Sequence, residues 1–199
     1  NGFDSSRWSP REEIRRKVRQ EFAVSEDDQV IGYVGRGHPQ KDIPNLFEAF
    51  KKVSRRHSKA VLVAVGRNLE TQASPPNRLR LLGQRPDIPD LMCGFDVLCL
   101  SSRAEGFPNV LGEAMASGVP CVTTDVGDAA DIVGKTGWVA PPRNADRLAN
   151  CLDAALSCTP ADLRDRGDRA RERIVRDFSI TSVVDRYISL YQSVTKNNI

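Results

Sequence analysis

Apolar residues along the chain follow two different periodicities. Short continuous runs rich in Val, Ile and Leu recur, as at 60–66, and such runs are typical of strands buried on both faces of a sheet. Between them apolar residues return every three or four positions, as at 42–56, which predicts amphipathic helices. The predicted strands are 29–35, 60–66, 78–83, 96–101, 120–124 and 138–140. The predicted helices are 11–22, 42–56, 88–95, 109–118 and 127–133, followed by three helical pieces after Asn144.

This alternation of strand and helix predicts the fold class. A chain with this rhythm forms a parallel sheet between two layers of helices, so we predict an α/β fold with a Rossmann-like doubly wound sheet and C-terminal helices. Residues 1–10 are turn-rich and resemble the end of a linker, 11–178 form the domain, and 179–199 form a last helix. The cluster at 74–77 predicts a surface loop. In such folds, ligands bind beyond the carboxyl ends of the strands.

Charge and cysteine content narrow the class of protein. The net charge of +3 is spread along the chain, which argues against nucleic-acid binding. The basic stretch 11–19 also carries glutamates and predicts the solvated face of a helix, with at most weak attraction to anionic lipid. The five cysteines are odd in number and lack metal-ligand spacing, so we expect a reduced, cytoplasmic protein without a metal. No apolar run is long enough to span a membrane, no signal peptide is visible, and the start at Asn1 suggests a fragment.

A glycine-rich turn after the first strand is the first candidate site. Its spacing, G-x-x-G-x-G over 32–37, is not the G-x-G-x-x-G of dinucleotide-binding proteins. Gly35 would let backbone amides approach an anion, and Arg36 and Lys41 could bind phosphate oxygens. On this evidence alone, two solvated surface cations remain the commoner explanation.

A pair of glutamates is the second and sharper candidate. Glu105 and Glu113 are separated by seven residues, and Pro108-Asn109 between them predicts the start of a helix. The amino end of a helix favours bound phosphate, and Glu113, one turn further, could accept hydrogen bonds from a diol. Glu105 would face the group beyond the phosphates. Spacing alone leaves open a capping carboxylate and an exposed helical glutamate.

The run EGFPNVLGEAMASGVP at 105–120 resembles the E-x7-E signature of the glycosyltransferase group 1 family, the retaining GT-B-type enzymes also called family 4. Val34-Gly35-Arg36 with Lys41 is similar to that family's phosphate loop, and 96–102 to its next strand. Residues 1–4 look like the hinge that opens the family's C-terminal domain, and 178–191 like its closing helix. The resemblance covers nearly the whole chain.

The resemblance implies roles for individual residues. Arg36 and Lys41 would bind the diphosphate of a sugar donor, Glu113 its ribose and Glu105 its sugar, so Glu105, Arg36 and Lys41 are the expected catalytic groups. Arg85, within 83–85, would lie near the base. The remaining expected donor contacts are Gly35, Gly106, Phe107, Pro108, Asn109 and Val110. Two departures from the family pattern are Pro108-Asn109, in place of a glycine-containing loop, and Ser101, in place of proline.

The resemblance also implies a reaction. The full enzyme would transfer a sugar from a nucleoside diphosphate to an acceptor hydroxyl with retained configuration, without a metal or other cofactor. An N-terminal domain absent from this chain would bind a polysaccharide, lipopolysaccharide or glycolipid acceptor, and helix 179–199 would pack towards it. We therefore expect the isolated chain to be inactive, and the full protein to be cytoplasmic with peripheral membrane contact. Two alternatives are a non-catalytic nucleotide-sugar-sensing module and a sugar-nucleotide epimerase-like domain; neither needs the E-x7-E pair.

Overall fold

The structure is a computed structural model that describes residues 1–70 and 75–196. Six strands form one parallel sheet in the order β3-β2-β1-β4-β5-β6, which confirms the predicted fold class. The strands are β1 Gln29–Val34, β2 Ala60–Val65, β3 Leu79–Leu81, β4 Val97–Leu100, β5 Cys121–Thr124 and β6 Trp138–Ala140. The helices are α1 Glu12–Glu21, α2 Ile43–Val53, α3 Ile88–Cys93, α4 Asn109–Ala116, α5 Ala129–Val133, α6 Ala145–Leu156, α7 Pro160–Asp177 and α8 Ile180–Lys196.

Each strand and each helix up to β6 lies inside its predicted range, and the three helical pieces after Asn144 are confirmed. The predicted loop at 74–77 begins at a residue outside the described ones; Pro75 and Asn77 are exposed and Pro76 is buried.

The helices cover the sheet in two layers, each with its own apolar core. Alternate residues of a strand point to opposite faces, so Val30 of β1 lies in one core and Ile31 in the other. The first core includes apolar residues of α1, α3, α4, α5 and α7, and the second those of α2 and α6. Cys99 and Cys121 are buried within β4 and β5, and all five cysteines are free thiols.

The strand order places one crevice at the centre of the sheet. The chain runs from β1 outward through β2 and β3, then returns to pair β4 against the other side of β1. The loops that follow β1 and β4 therefore leave in opposite directions, and the gap between them is where α/β folds bind ligands. Both predicted candidate sites belong to these two loops.

The first ten residues pack on the domain. Phe3 and Trp8 are buried in the first core, although their neighbours are polar and turn-forming. The Phe3 amide donates to Phe178 O at 2.8 Å, and the Ile180 amide donates to Phe3 O at 3.1 Å. The segment that precedes α1 is thus held against the start of α8.

The basic face predicted for 11–19 is not solvated throughout. The Arg15 and Arg19 side chains bind Asp96, which precedes β4, and the Arg19 side chain is only 8% exposed. The prediction was wrong here because α1 packs against α3, beside Asp96, and buries these guanidinium groups. Helix α8 differs, since it exposes an apolar series: Ile180, Val184, Tyr187, Ile188, Leu190, Tyr191 and Val194. Across the described parts of the chain, no helix has the length and apolar character needed to cross a bilayer.

Candidate functional site

The loop after β1 is shaped by close backbone contact with the loop after β2. The Gly35 amide donates to Val65 O at 2.9 Å, which extends the β1–β2 pairing by one residue. Gly66 has a φ of +147°, and a Cβ there would lie 1.9 Å from Gly35 O, so only glycine fits. Beneath this loop the Tyr33 hydroxyl donates to Arg36 O at 3.5 Å. Burial, with nearby Glu105, raises the pKa of Tyr33 above its ordinary value.

Lys41 and Glu105, which come from different loops, meet in the crevice. Lys41 Nζ lies 2.5 Å from Glu105 Oε1, and Ser102 Oγ donates to the same oxygen at 2.6 Å. Both side chains are largely buried, with 23% of Lys41 and 14% of Glu105 exposed. The structure therefore brings together two of the predicted catalytic groups and fixes the orientation of the carboxylate.

Further bonds join the loop after β1 to the loop after β4. Ser101 Oγ donates to Lys41 O at 2.8 Å, and the Arg103 amide donates to Gln40 O at 2.6 Å. The Arg103 guanidinium also binds the Asp42 carboxylate, at 2.7 Å. Sequence reasoning passed over Asp42, Ser102 and Arg103, and only their positions beside Lys41 and Glu105 could have pointed to them.

Helix α4 begins between the two glutamates, as predicted. Pro108 occupies its N-cap position and provides no side-chain hydrogen bond to the first turn. The first-turn N–H groups and the positive end of the helix dipole are therefore suited to an anion. Asn109 Oδ1 accepts a hydrogen bond from Asn1 Nδ2 at 3.2 Å, which ties the helix start to the amino-terminal segment.

Glu113 lies one turn into α4 and is half-buried. Within residues 1–70 and 75–196, no hydrogen-bond donor reaches its carboxylate. Burial raises the pKa of Glu113 above its ordinary value, and the positive charge of Arg7 opposes this only in part. A partly desolvated carboxylate without donors is well suited to bind hydroxyl groups.

An aromatic cluster, formed by Phe3, Phe107 and Phe178, supports both glutamate-bearing segments. Phe107 stacks on Phe3 with ring centroids 5.9 Å apart and packs against Phe178 at 6.3 Å. A Cβ at Gly112 would lie 2.1 Å from the Phe3 ring, so this ring lies directly on α4. Phe3 thus contacts Phe107, two residues after Glu105, and Gly112, the residue before Glu113. A Phe in a polar segment and a glycine inside a predicted helix are visible in the sequence, but neither identifies the other as its partner.

The remaining predicted residues have different surroundings. The Arg36 side chain is exposed, and its guanidinium makes no hydrogen bond or ion pair to any described residue. Gly106 O accepts a hydrogen bond from the Asp128 amide at 2.9 Å, which anchors the loop after β4 to the segment that precedes α5. Arg85 binds Asp87 at 2.6 Å and also pairs with Glu21 of α1, so its guanidinium is already engaged. Its predicted contact with a donor stays a prediction.

A metal ion would need a group of His, Cys, Asp or Glu side chains as ligands. Among the described residues, no three His, Cys, Asp or Glu side chains come together as a group that could hold a metal ion.

These features define a class of protein. The crevice lies at the switch point of a doubly wound sheet. Around it are a glycine turn, Lys41, an uncapped helix start and a half-buried carboxylate. Such a crevice suits a ligand that joins a diphosphate to hydroxyl-bearing groups, as a nucleotide does. The class is that of doubly wound α/β domains with a crevice suited to an anion at the carboxyl edge of the sheet.

The family follows from comparison with known proteins. The model described as "Glycosyl transferases group 1" matches residues 28–158, which is more than half of the chain. The chain therefore belongs to the group 1 glycosyltransferase family, and its fold is the Rossmann-like half of a GT-B-type glycosyltransferase.

Individual relatives agree with this assignment. The chain is 27% identical to N-acetyl-alpha-D-glucosaminyl L-malate synthase of Bacillus anthracis, over 92% of this chain and 50% of the relative. It is 27% identical to the Escherichia coli UDP-Gal:alpha-D-GlcNAc-diphosphoundecaprenol alpha-1,3-galactosyltransferase, over 99% of this chain and 54% of the relative. Anabaena Alr3699/HepE, solved in complex with UDP, has a TM-score of 0.85 and 25% identity, over 97% of this chain and 56% of that one. The chain spans about half the length of these relatives.

Proposed function

We propose that this domain binds a nucleoside diphosphate sugar and, together with a second domain, transfers the sugar to an acceptor hydroxyl with retention of configuration. The observation that carries the proposal is the Lys41–Glu105 contact in the central crevice, beside the start of α4. Membership of the group 1 family supports it, as does the UDP complex of the similar Anabaena protein.

The diphosphate is the group that the site has most means to bind. Lys41, the exposed Arg36 and the first turn of α4 together oppose the negative charge that grows on the diphosphate as the sugar leaves. Fixed charges and dipoles of this kind act without reorganisation, and the loss of one such donor typically costs about 100- to 1,000-fold in rate. We propose that they perform this task without a metal ion.

Glu113 binds the ribose in this proposal. Its carboxylate has no donor within the described residues, and the two ribose hydroxyls would provide donors. Hydrogen bonds to a charged group contribute roughly 1.5–3 kcal/mol each. The base would lie further along the carboxyl edge, near 83–85.

Glu105 contacts the donor sugar. Ser102 and Lys41 hold one of its oxygens, which leaves the other to face the sugar. A carboxylate at this place stabilises positive charge that develops at the anomeric carbon. The backbone from Gly106 to Val110, fixed by the aromatic cluster and by Asp128, encloses the sugar and the neighbouring phosphate.

The acceptor and the second domain complete the proposal. Relatives twice as long as this chain include a transferase whose name gives a diphosphoundecaprenol-linked acceptor. We propose a glycan or glycolipid acceptor, bound mainly by the second domain, and a cytoplasmic enzyme at the membrane periphery. On this view, helix α8 packs towards the second domain, and the domain described here binds donor but transfers no sugar alone.

Titration of the domain with UDP, GDP and ADP by calorimetry tests the donor site. We expect one diphosphate to bind, and Arg36→Ala and Lys41→Ala each to weaken that binding at least tenfold. The affinity for the matching nucleoside, measured by competition NMR, should change less than twofold, because the two cations contact only the phosphate groups of the ligand. Equal losses for nucleoside and diphosphate would contradict these roles, and absence of binding by all three diphosphates would contradict the donor site.

A further inference from the structure

We infer that Asp42 and Arg103 form a positioning pair that holds Lys41 opposite Glu105 and so sets the affinity for the diphosphate. The inference rests on the proposed function, since it assigns Lys41 to the diphosphate. Neither residue of the pair needs to touch the ligand; both act through Lys41.

The backbone at Asp42 does not explain why the residue is aspartate. Asp42 adopts a left-handed conformation, with φ 50° and ψ 51°, that glycine reaches without strain and that Asn and Asp tolerate better than other residues. It occupies the N-cap position of α2, where aspartate usually binds a first-turn amide, yet its side chain makes no capping bond. Its carbonyl accepts the Asn45 and Leu46 amides, which any residue could do. The carboxylate is therefore not used by the helix and is available for another purpose.

That purpose is the bond to Arg103. Asp42 Oδ1 lies 2.7 Å from the Arg103 guanidinium, and the Asp42 side chain is only 3% exposed. An ion pair with one nearly buried member resists screening better than a surface pair. The strain at Asp42 is thus retained together with a specific ionic contact, a combination that is typical of functional sites.

The pair brackets Lys41. Arg103 binds both neighbours of Lys41, through its side chain to Asp42 and through its amide to Gln40 O. Ser101, two residues earlier, binds the carbonyl of Lys41 itself. Since Glu105 follows Arg103 by two residues, these contacts fix the distance between the backbones that carry Lys41 and Glu105.

Asp42→Gly separates this role from a structural one, because glycine suits the backbone but removes the carboxylate. We expect its affinity for the bound diphosphate among UDP, GDP and ADP to fall at least tenfold, while nucleoside affinity changes less than twofold. Asp42→Asn, which keeps the shape and removes the charge, and Arg103→Gln should show the same split. Ala23→Gly is the matched control: Ala23 is exposed and has a φ of 53°, so the change relieves similar strain and should leave binding unaltered.

Hydrogen exchange without ligand provides a second measurement. In Asp42→Gly, exchange of the Arg103 amide should accelerate at least tenfold, whereas the Ser54 amide at the end of α2 should keep its rate. Unchanged exchange at Arg103, or a wild-type diphosphate affinity in Asp42→Gly, would overturn this inference and leave the proposed function standing. Failure of the wild-type domain to bind any of the three diphosphates would overturn the proposed function, and the inference with it.

Discussion

Two clusters of cations and carboxylates lie at opposite edges of the sheet, and they differ in how completely their polar atoms are bonded. At the amino edge Asp96 accepts from Arg15 at 2.5 Å, from Arg19 at 3.1 Å and from the Val30 amide at 2.6 Å. At the carboxyl edge Lys41 and Glu105 pair with each other, but the Arg36 guanidinium and the Glu113 carboxylate have no bonded partner among the described residues.

The contrast shows that residue type alone does not mark a binding site. Arg19 also donates to Ser25 O at 2.8 Å and to Asp28 O at 2.7 Å, so this guanidinium has its partners within the protein. Charged groups that are bonded within the protein in this way hold α1 to the sheet. Polar groups that lie at a crevice without protein partners can still form hydrogen bonds to a ligand, and they add little to the stability of the folded state.

Asp96→Ala is the sharpest test of the amino edge. It removes the acceptor of the Val30 amide and the carboxylate that pairs with Arg19, whose side chain is 8% exposed. Because an unpaired buried charge is costly, we expect the free energy of unfolding in urea to fall by about 3–5 kcal/mol. Asp90→Ala breaks the pair between Arg11 and Asp90, whose side chains are 36% and 43% exposed, and should cost less than about 1 kcal/mol. Similar losses in both variants would remove the distinction.

Gly66→Ala tests the backbone of the carboxyl edge. Its new Cβ would collide with Gly35 O, and its φ of +147° does not suit alanine, so we expect a loss of about 3 kcal/mol. The displaced Gly35 should also weaken diphosphate binding at least tenfold. Gly83→Ala, with a φ of +64° and open space around the Cβ, is the matched control for stability alone and should cost about 1 kcal/mol. If calorimetry shows full affinity in Gly66→Ala, the loop after β1 does not shape the diphosphate site.

Glu113→Gln should have the smallest effect on stability but a clear effect on binding. Since the folded protein raises the pKa of Glu113, its charge is unfavourable for folding at neutral pH. Stability from this group therefore increases as pH falls through the raised pKa towards the ordinary carboxyl value. At pH 7 the variant should unfold with the same free energy as wild type, or with up to about 1 kcal/mol more.

The same substitution should weaken nucleotide binding about tenfold, which corresponds to one hydrogen bond to a charged group. In wild type, affinity should fall as pH is lowered through the raised pKa of Glu113, and in Glu113→Gln that dependence should disappear. Glu26→Gln, at an exposed turn, controls for the loss of one charge. A destabilised Glu113→Gln with unchanged affinity would mean that this carboxylate serves the fold.

The contrast between the edges also explains what the sequence could predict. Buried strands and amphipathic helices have local periodicities, so the order of elements and the fold class could be inferred. The topology then placed the loops after β1 and β4 at one crevice, which brought Lys41 and Glu105 within reach of each other. The bonds of Asp96 to α1 could not be inferred, because a cation on an amphipathic helix has the same local pattern whether it is solvated or buried.

Residues without a local signature were missed for related reasons. The burial of Phe3 depends on the space left by Gly112, more than one hundred positions along the chain. The left-handed backbone of Asp42 arises from the turn that precedes α2, and its carboxylate matters only because Arg103 lies opposite. Arg85 illustrates the reverse case, since a residue chosen for its position in a motif is engaged by Glu21 and Asp87 in the folded protein.

The two outermost strands of the sheet have a consequence for the behaviour of the protein at high concentration. Both β3 and β6 are only three residues long, and β3 carries Arg80 at its centre. Beside β6, the Arg166 guanidinium lies 4.4 Å from the centroid of the Trp138 ring. Short, charged or covered strands present few unpaired N–H and C=O groups to another molecule, so the sheet offers a poor template for cross-strand aggregation.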